Sequence, residues 1–200
     1  MAEAKIIPRL KADYNDKIVK ELQKELSIKN VHDVPKLTKI VVSSGVGRSK
    51  DDKRHQEIVA NTLKKITGQQ PVSRIAKKSI ASFKIRAGMG APLGHMVTLR
   101  GDMMYEFLDR LVNVAMPRIR DFHGASLKAF DAQGNYNFGI TEQSIFPELT
   151  FEETAILHGL QVTFIIKNKK STALDSSASN AARSKALLEK FGIPFEKGGE

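Results

Sequence analysis

The stretch Gly159-Leu160-Gln161-Val162-Thr163-Phe164-Ile165-Ile166-Lys167 carries the clearest structural signal in the chain. Leu160, Val162, Phe164 and Ile166 recur at every second position, so in an extended backbone they share one side, and Gln161, Thr163 and Ile165 share the other. A strand that is apolar on one side and partly polar on the other belongs in a sheet covered on one face only, which is the habit of antiparallel sheets.

Other elements are read outward from this strand. Leu37 to Ser43 is a β-branched run that predicts a second strand, His95 to Arg100 a third, and Pro71 to Ile75 a short fourth. Residues 118–140 carry Gly and Asn turns around Phe130, Tyr136 and Phe138, which predicts short strands and loops. Residues 9–27 read as an amphipathic helix, because Leu10, Tyr14, Ile18, Leu22 and Leu26 recur at four-residue spacing among charges. Asp51 and Asp52 open a second helix to about Ile66, with Ile58, Thr62, Leu63 and Ile66 inward and Gly68 as its stop. Gly101 and Asp102 open a third, through about Val114, with Phe107, Leu108, Leu111 and Val112 inward and Pro117 breaking it. A last helix spans about Ser179 to Lys190.

This order predicts an α+β fold: a largely antiparallel sheet with helices packed on one side and a long basic loop. We expect a single domain over 1–200, with an N-terminal helix in 1–30, an α/β core in 36–167, a mobile loop at about 77–94, and a C-terminal helix and tail in 175–196.

The 200 residues are 41% hydrophobic, enough for a real core, and carry a formal net charge of +10, which points to a polyanionic partner. Placement of charge says more than its total. Between Glu57 and Asp102 there is no acidic residue, while Lys64, Lys65, Arg74, Lys77, Lys78, Lys84, Arg86 and Arg100 all fall there. Phosphates favour cations without competing carboxylates, and Gly and Ser in the same interval allow close approach of the backbone. A solvated basic face is the bland alternative. Acids gather elsewhere, at Glu142, Glu148, Glu152 and Glu153.

Several chemistries are excluded by absence of their residues. The sequence has no cysteine, so disulfides, thiolate catalysis and cysteine-based zinc sites are out, and a reducing compartment is the expectation. No two of the five histidines have zinc-helix spacing, so no metal site is expected. Gly45-Val46-Gly47 follows a strand and precedes a helix, but Lys50 stands where a dinucleotide fingerprint needs its third glycine. There is no P-loop and no Gly-x-Ser-x-Gly elbow. We therefore expect no catalytic residues, no cofactor and no small-molecule substrate. No apolar run approaches a membrane span or a signal peptide, so the expectation is a soluble cytoplasmic protein without a membrane partner.

Lys77-Lys78-Ser79-Ile80-Ala81-Ser82-Phe83-Lys84-Ile85-Arg86 resembles a signature segment of the large-subunit ribosomal proteins that bind 5S rRNA, the ribosomal protein L5 family. Val97 to Gly101, Pro117 to Phe122, Gly134 to Tyr136, Ile145 to Glu148 and Phe191 to Phe195 are also similar, in the family's order, so the resemblance runs from about residue 10 to about 196. It implies a non-enzymatic structural constituent of the large ribosomal subunit, bound to 5S rRNA and to large-subunit rRNA in the central protuberance. The matching rRNA-contact positions are Lys39, Ser43, Gly45, Val46 and Gly47, with Gln69, Thr98 and Arg100 beside them. The resemblance also implies a long loop reaching peptidyl-site tRNA, here through Lys77, Lys78, Ser79, Lys84 and Arg86, and a contact with a small-subunit head protein across the subunit interface. A free-standing RNA chaperone with the same fold is the competing reading. It would bind many RNAs alike.

Overall fold

A computed structural model of the chain describes residues 7–47, 52–83, 85–88, 92–168 and 177–196, with the side chains of 177–179 left aside. Asp51, Lys84 and the basic pair Lys169 and Lys170 lie outside the described residues. Five strands form one sheet, β1 (Lys36–Gly45), β2 (Val72–Arg74), β3 (Gly94–Leu99), β4 (Tyr136–Ile140) and β5 (Leu160–Lys167), in the spatial order β2-β3-β1-β5-β4. The sheet is antiparallel, and with its helices the fold is α+β, as the order of elements in the sequence predicts. In β5 that alternation is realised: Leu160, Val162, Phe164 and Ile166 are buried and Gln161 and Lys167 exposed.

The chain divides into two compact units, with boundaries that fall inside β1, β4 and β5. The first comprises Met1–Ile40, Arg100–Phe138 and Thr163–Glu200. Its N-terminal helix is built of α1 (Arg9–Asp13), a π-turn at Tyr14–Ile18, and α2 (Val19–Glu25). The π-turn has a physical cause in the spacing of the apolar residues. A four-residue step overshoots a 3.6-residue turn by about 40°, so an unbroken α-helix would rotate the row Leu10, Tyr14, Ile18, Leu22 off its partner. One wider turn winds it back, and all four are buried. The helix packs on α4 (Gly101–Arg110), fixed by Arg9 to Asp109 at 2.6 Å and Lys11 to Asp102 at 2.5 Å. Within this core Tyr14 stacks on Phe191 and Tyr105 meets Phe191 edge-on, and burial, with Tyr105 adding, pushes the Tyr14 phenol up to about 12 while its hydroxyl donates to the Pro35 carbonyl. α6 (Ser177–Lys190) contributes Leu187 and Leu188, and a second aromatic group joins Phe130, Tyr136 and Phe195.

The second unit comprises Val41–Leu99 and Gly139–Val162. Its helix α3 (Lys53–Thr67) is capped by Asp52, whose Oδ1 accepts from the backbone N–H of Arg54 and His55, and it stops at Gly68 with φ of +70°. The inward face is His55, Gln56, Val59, Thr62, Leu63 and Ile66, so Val59 rather than Ile58 centres it; Ile58 is half-buried. α3 packs against β3, whose His95, Val97 and Leu99 are buried. Each fully buried aliphatic chain of this kind contributes roughly 1.5–3 kcal/mol. Ser44, a hydroxyl at a buried strand position, donates to the Gly159 carbonyl at 2.8 Å. A short helix α5 (Phe151–Thr154) carries a capping box of Thr150 and Glu153. Gln143, with no exposed surface, ties the following loop, donating to the Ile156 carbonyl and accepting from His158 N–H, each at 2.8 Å. Among the described residues no helix is long and apolar enough to cross a membrane.

Candidate RNA interface

In the second unit the sheet has two unlike faces. The register of β2 on β3 pairs Val72 with Met96, Ser73 with His95 and Arg74 with Gly94. His95 belongs to the buried side, where its Nδ1 lies 3.3 Å from Ser73 Oγ and burial holds its pKa below the ordinary histidine value. Val72, Arg74, Met96 and Thr98 therefore stand on the other face, where Met96 and Thr98 are half-exposed and Arg74 exposed. β1 continues the pattern: Val42 and Ser44 are buried, Val41 and Ser43 half-exposed, Gly45 exposed. Ser43, Gly45 and Thr98 give this second face a stretch of short side chains between longer ones such as Arg74 and Met96. No Asp or Glu occurs in Val41–Gly45, β2, β3, Gly139–Ile140 or Leu160–Val162.

Gly45, on this face, is not there for a turn, and Gly47 lies just beyond the strand. β1 runs through Gly45 rather than ending at Ser43, and neither Gly45 nor Gly47 has a positive φ. A Cβ built on either would meet nothing within 4 Å. Neither backbone conformation nor internal packing demands glycine, and the space in front of both is open. Close approach of a ligand to the backbone is the remaining use for a missing side chain. Val46 between them is 1% exposed, with its N–H donating to the Leu93 carbonyl at 2.9 Å, so its side chain belongs to the core.

Between β2 and β3 the described residues carry backbone pairing of their own. Ile80 and Ile85 exchange both backbone hydrogen bonds, at 3.0 and 3.1 Å, around a single 3-10 turn at Ala81–Phe83. Ser79 Oγ accepts from Ala87 N–H at 2.9 Å, and Gly88 N–H donates to the Ala76 carbonyl. The segment is a small hairpin that presents Lys77, Lys78, Ser79 and Arg86, all exposed. Phe83 is 68% exposed at its turn.

The structure brings Ser43, Gly45 and Thr98 to one face and adds Arg74, which the sequence offered only as one cation among eight. Strand register, not residue type, singles it out. Gln69 stands apart, exposed in the connection after α3. Lys39, half-buried on the early part of β1, and Arg100, exposed at the start of α4, belong to the first unit. The stretch without acids in sequence is not wholly so in space: Lys65 pairs with Glu153 at 2.9 Å, which removes it from the free cations. Arg74, Lys77, Lys78 and Arg86 have no ion pair among the described residues. No group of His, Asp or Glu among them is placed to hold a metal ion.

Comparison with known proteins follows this geometry. The family described as Ribosomal protein L5 matches residues 30–86, and the model of that ribosomal family's C-terminus matches residues 92–195. The large ribosomal subunit protein uL5 of Christiangramia forsetii is 46% identical over 191 residues, covering 96% of this chain and 98% of the relative. The protein of the same description from Dichelobacter nodosus is 48% identical over 187 residues, covering 94% and 98%. That from Synechococcus sp. is 48% identical over 187 residues, covering 94% and 97%. A chain matched over nearly its whole length in this way belongs to the ribosomal protein L5 family and is a non-enzymatic structural constituent of the large ribosomal subunit.

Proposed function

We propose that the chain binds 5S rRNA in the central protuberance through the open face of its second unit, with Ser43, Gly45, Gly47 and Thr98 against sugar edges and Arg74 and Gln69 at the margin. Lys39, Val46 through its backbone, and Arg100 extend the rRNA contact. The observation that carries this reading is a strand face that presents Ser43, Gly45 and Thr98 from segments without Asp or Glu, with Gly45 on it and Gly47 just beyond it, two glycines whose added Cβ would meet nothing within 4 Å. RNA helices present shape, 2′-hydroxyls and phosphates rather than a readable deep groove, and such a face can approach them closely. The basic hairpin, with Lys77, Lys78, Ser79 and Arg86 and with Lys84 in the same segment, contacts peptidyl-site tRNA. The acidic stretch Glu142 to Glu153, beside which Phe151 is 88% exposed, meets a basic small-subunit head protein.

The test is a titration of the full chain with purified 5S rRNA across salt, with tRNA and an unrelated hairpin as competitors. Selective binding is expected, falling by about three decades between 50 and 200 mM salt if about six phosphates are neutralised. Thr98→Glu and Lys39→Gln weaken it. Equal affinity for every RNA would replace this reading with that of a general RNA chaperone.

A further inference from the structure

Several cations of the first unit pair with its own acids. Arg9 pairs with Asp109, Lys11 with Asp102, Lys17 with Asp13, Lys185 with Glu189, and Lys190 with Glu21 and Glu25. The turn Pro117–Gly124 carries two arginines outside these pairs. Arg118 and Arg120 are exposed, and neither has an ion pair among the described residues. Ile119 between them is half-buried in an extended conformation, with φ of −69° and ψ of 126°.

The turn is also held rigid from beneath. Ile119 N–H donates to the Met116 carbonyl at 3.1 Å. Phe122 sets its ring edge on Phe138 with centroids 6.3 Å apart. Beyond it, Ala125 N–H donates to the Pro194 carbonyl and Glu196 N–H to the Ala125 carbonyl, at 2.8 and 3.1 Å. Asp121 bends the chain with φ of +51°, a conformation Asp tolerates better than most residues. Two exposed arginines two residues apart on a backbone held by these contacts suit capture of phosphate oxygens, because little backbone freedom is lost on binding.

We infer that Arg118 and Arg120 form a second rRNA site, a clamp for neighbouring phosphates of one strand, separate from the open sheet face of the second unit. The inference rests on the rRNA-binding reading above and adds to it a site on the first unit. Asp121 works against it: a carboxylate beside the two cations repels phosphate, which yields a test of its own.

The full chain is titrated with purified 5S rRNA and, separately, with purified large-subunit rRNA, each between 50 and 200 mM salt. For Arg118→Gln with Arg120→Gln, the salt-induced loss of affinity on at least one of the two RNAs is expected to shrink by about tenfold, since each neutralised phosphate accounts for roughly half a decade over that range. Arg118→Lys with Arg120→Lys retains most of the salt dependence, and Asp121→Asn, which keeps the left-handed turn, tightens binding several-fold. The control Lys20→Gln with Lys24→Gln makes the same charge change on exposed residues of α2. If the arginine variant matches that control on both RNAs, or Asp121→Asn leaves affinity unchanged, the clamp is overturned while the sheet-face reading stands. If the unaltered chain shows no preference for either rRNA over an unrelated hairpin, both fall together.

Discussion

Lys65 Nζ lies 2.9 Å from each carboxylate oxygen of Glu153, joining α3 to the capping box of α5 across 88 residues of sequence. The same carboxylate accepts from Thr150 N–H and Thr150 Oγ1 at 3.1 and 3.0 Å. One charged group thus satisfies a helix start and anchors it to the helix that covers β3.

The contact gives the second unit an acid-sensitive joint. Burial raises the pKa of Glu153, but Lys65 and the two Thr150 donors outweigh it and hold the carboxyl below the ordinary glutamate value. A carboxylate depressed on folding stabilises the native state above its unfolded pKa and loses that contribution as pH falls through the folded one. Glu153→Gln, which can still cap but carries no charge, should cost about 0.5–1 kcal/mol at pH 7 and next to nothing at pH 3. Urea unfolding at both pH values measures it, and an equal cost at both would remove the ion pair from the account.

Gly45 separates the demands of folding from those of binding. A Cβ there meets nothing within 4 Å, so Gly45→Val should leave Tm within about 2 °C of the parent. If RNA sits against that backbone, the same change should lower 5S rRNA affinity at least tenfold. Unchanged binding would mean that the surface in front of β1 is not where RNA docks.

Much of this was legible in the sequence because the signal was periodic. The alternation in Leu160–Ile166 and the four-residue row from Leu10 to Leu22 each became a buried face. What escaped was local geometry that periodicity does not encode. The π-turn at Tyr14–Ile18 follows from a spacing visible in the sequence, but its outcome depends on the partner surface. α5 has four residues, too few for a pattern, and announces itself only through the Thr150 and Glu153 capping pair. Arg74 looked like one cation among many until its pairing with Gly94 fixed its face. The free cations could not be told from the tied ones, because Lys65 and Glu153 are distant in sequence.

His158 is expected to make stability fall on the acid side of neutrality. Burial, opposed by the Ile156 carbonyl and reinforced by His55 with ring centroids 6.2 Å away, lowers its pKa below 6.5. His95 is lowered by burial as well. A histidine that folds neutral must give up its proton on folding, so stability is complete above about pH 7 and declines as pH falls toward 5, by at most about 1.4 kcal/mol per pH unit for each proton. His158→Phe should make that decline shallower, while a decline identical to the parent's would show that His158 titrates alike in both states.

Gly124 tests the support beneath the basic turn. Its φ is +116°, and a Cβ there would lie 2.5 Å from the Glu196 backbone nitrogen. Gly124→Ala should therefore destabilise the first unit by about 2–3 kcal/mol and free the segment that ends at Phe195. Faster hydrogen exchange at Ala125 and Glu196 would locate the damage. Parent-like exchange at both amides would mean that the tail is not held there in solution.

The hairpin between β2 and β3 sets order against charge as the source of binding. Its order rests on the paired amides of Ile80 and Ile85 and on Ser79 Oγ, which accepts from Ala87 N–H. Removing that hydroxyl in Ser79→Ala forfeits about 1 kcal/mol of local stability, so Ala87 and Ile85 should exchange their amide protons roughly fivefold faster. The cations remain, and tRNA binding should weaken by no more than that same factor, because the cost is one of ordering the segment when the ligand arrives. Lys77→Ala with Lys78→Ala leaves the backbone pairing alone and removes the electrostatic attraction, so it should weaken tRNA binding more and flatten its salt dependence by a slope of about two. If Ile80 and Ile85 in the unaltered protein exchange as fast as an unfolded chain, the hairpin forms only against its ligand. Ser79→Ala would then leave exchange in the free protein unchanged and weaken tRNA binding by the full factor of about five.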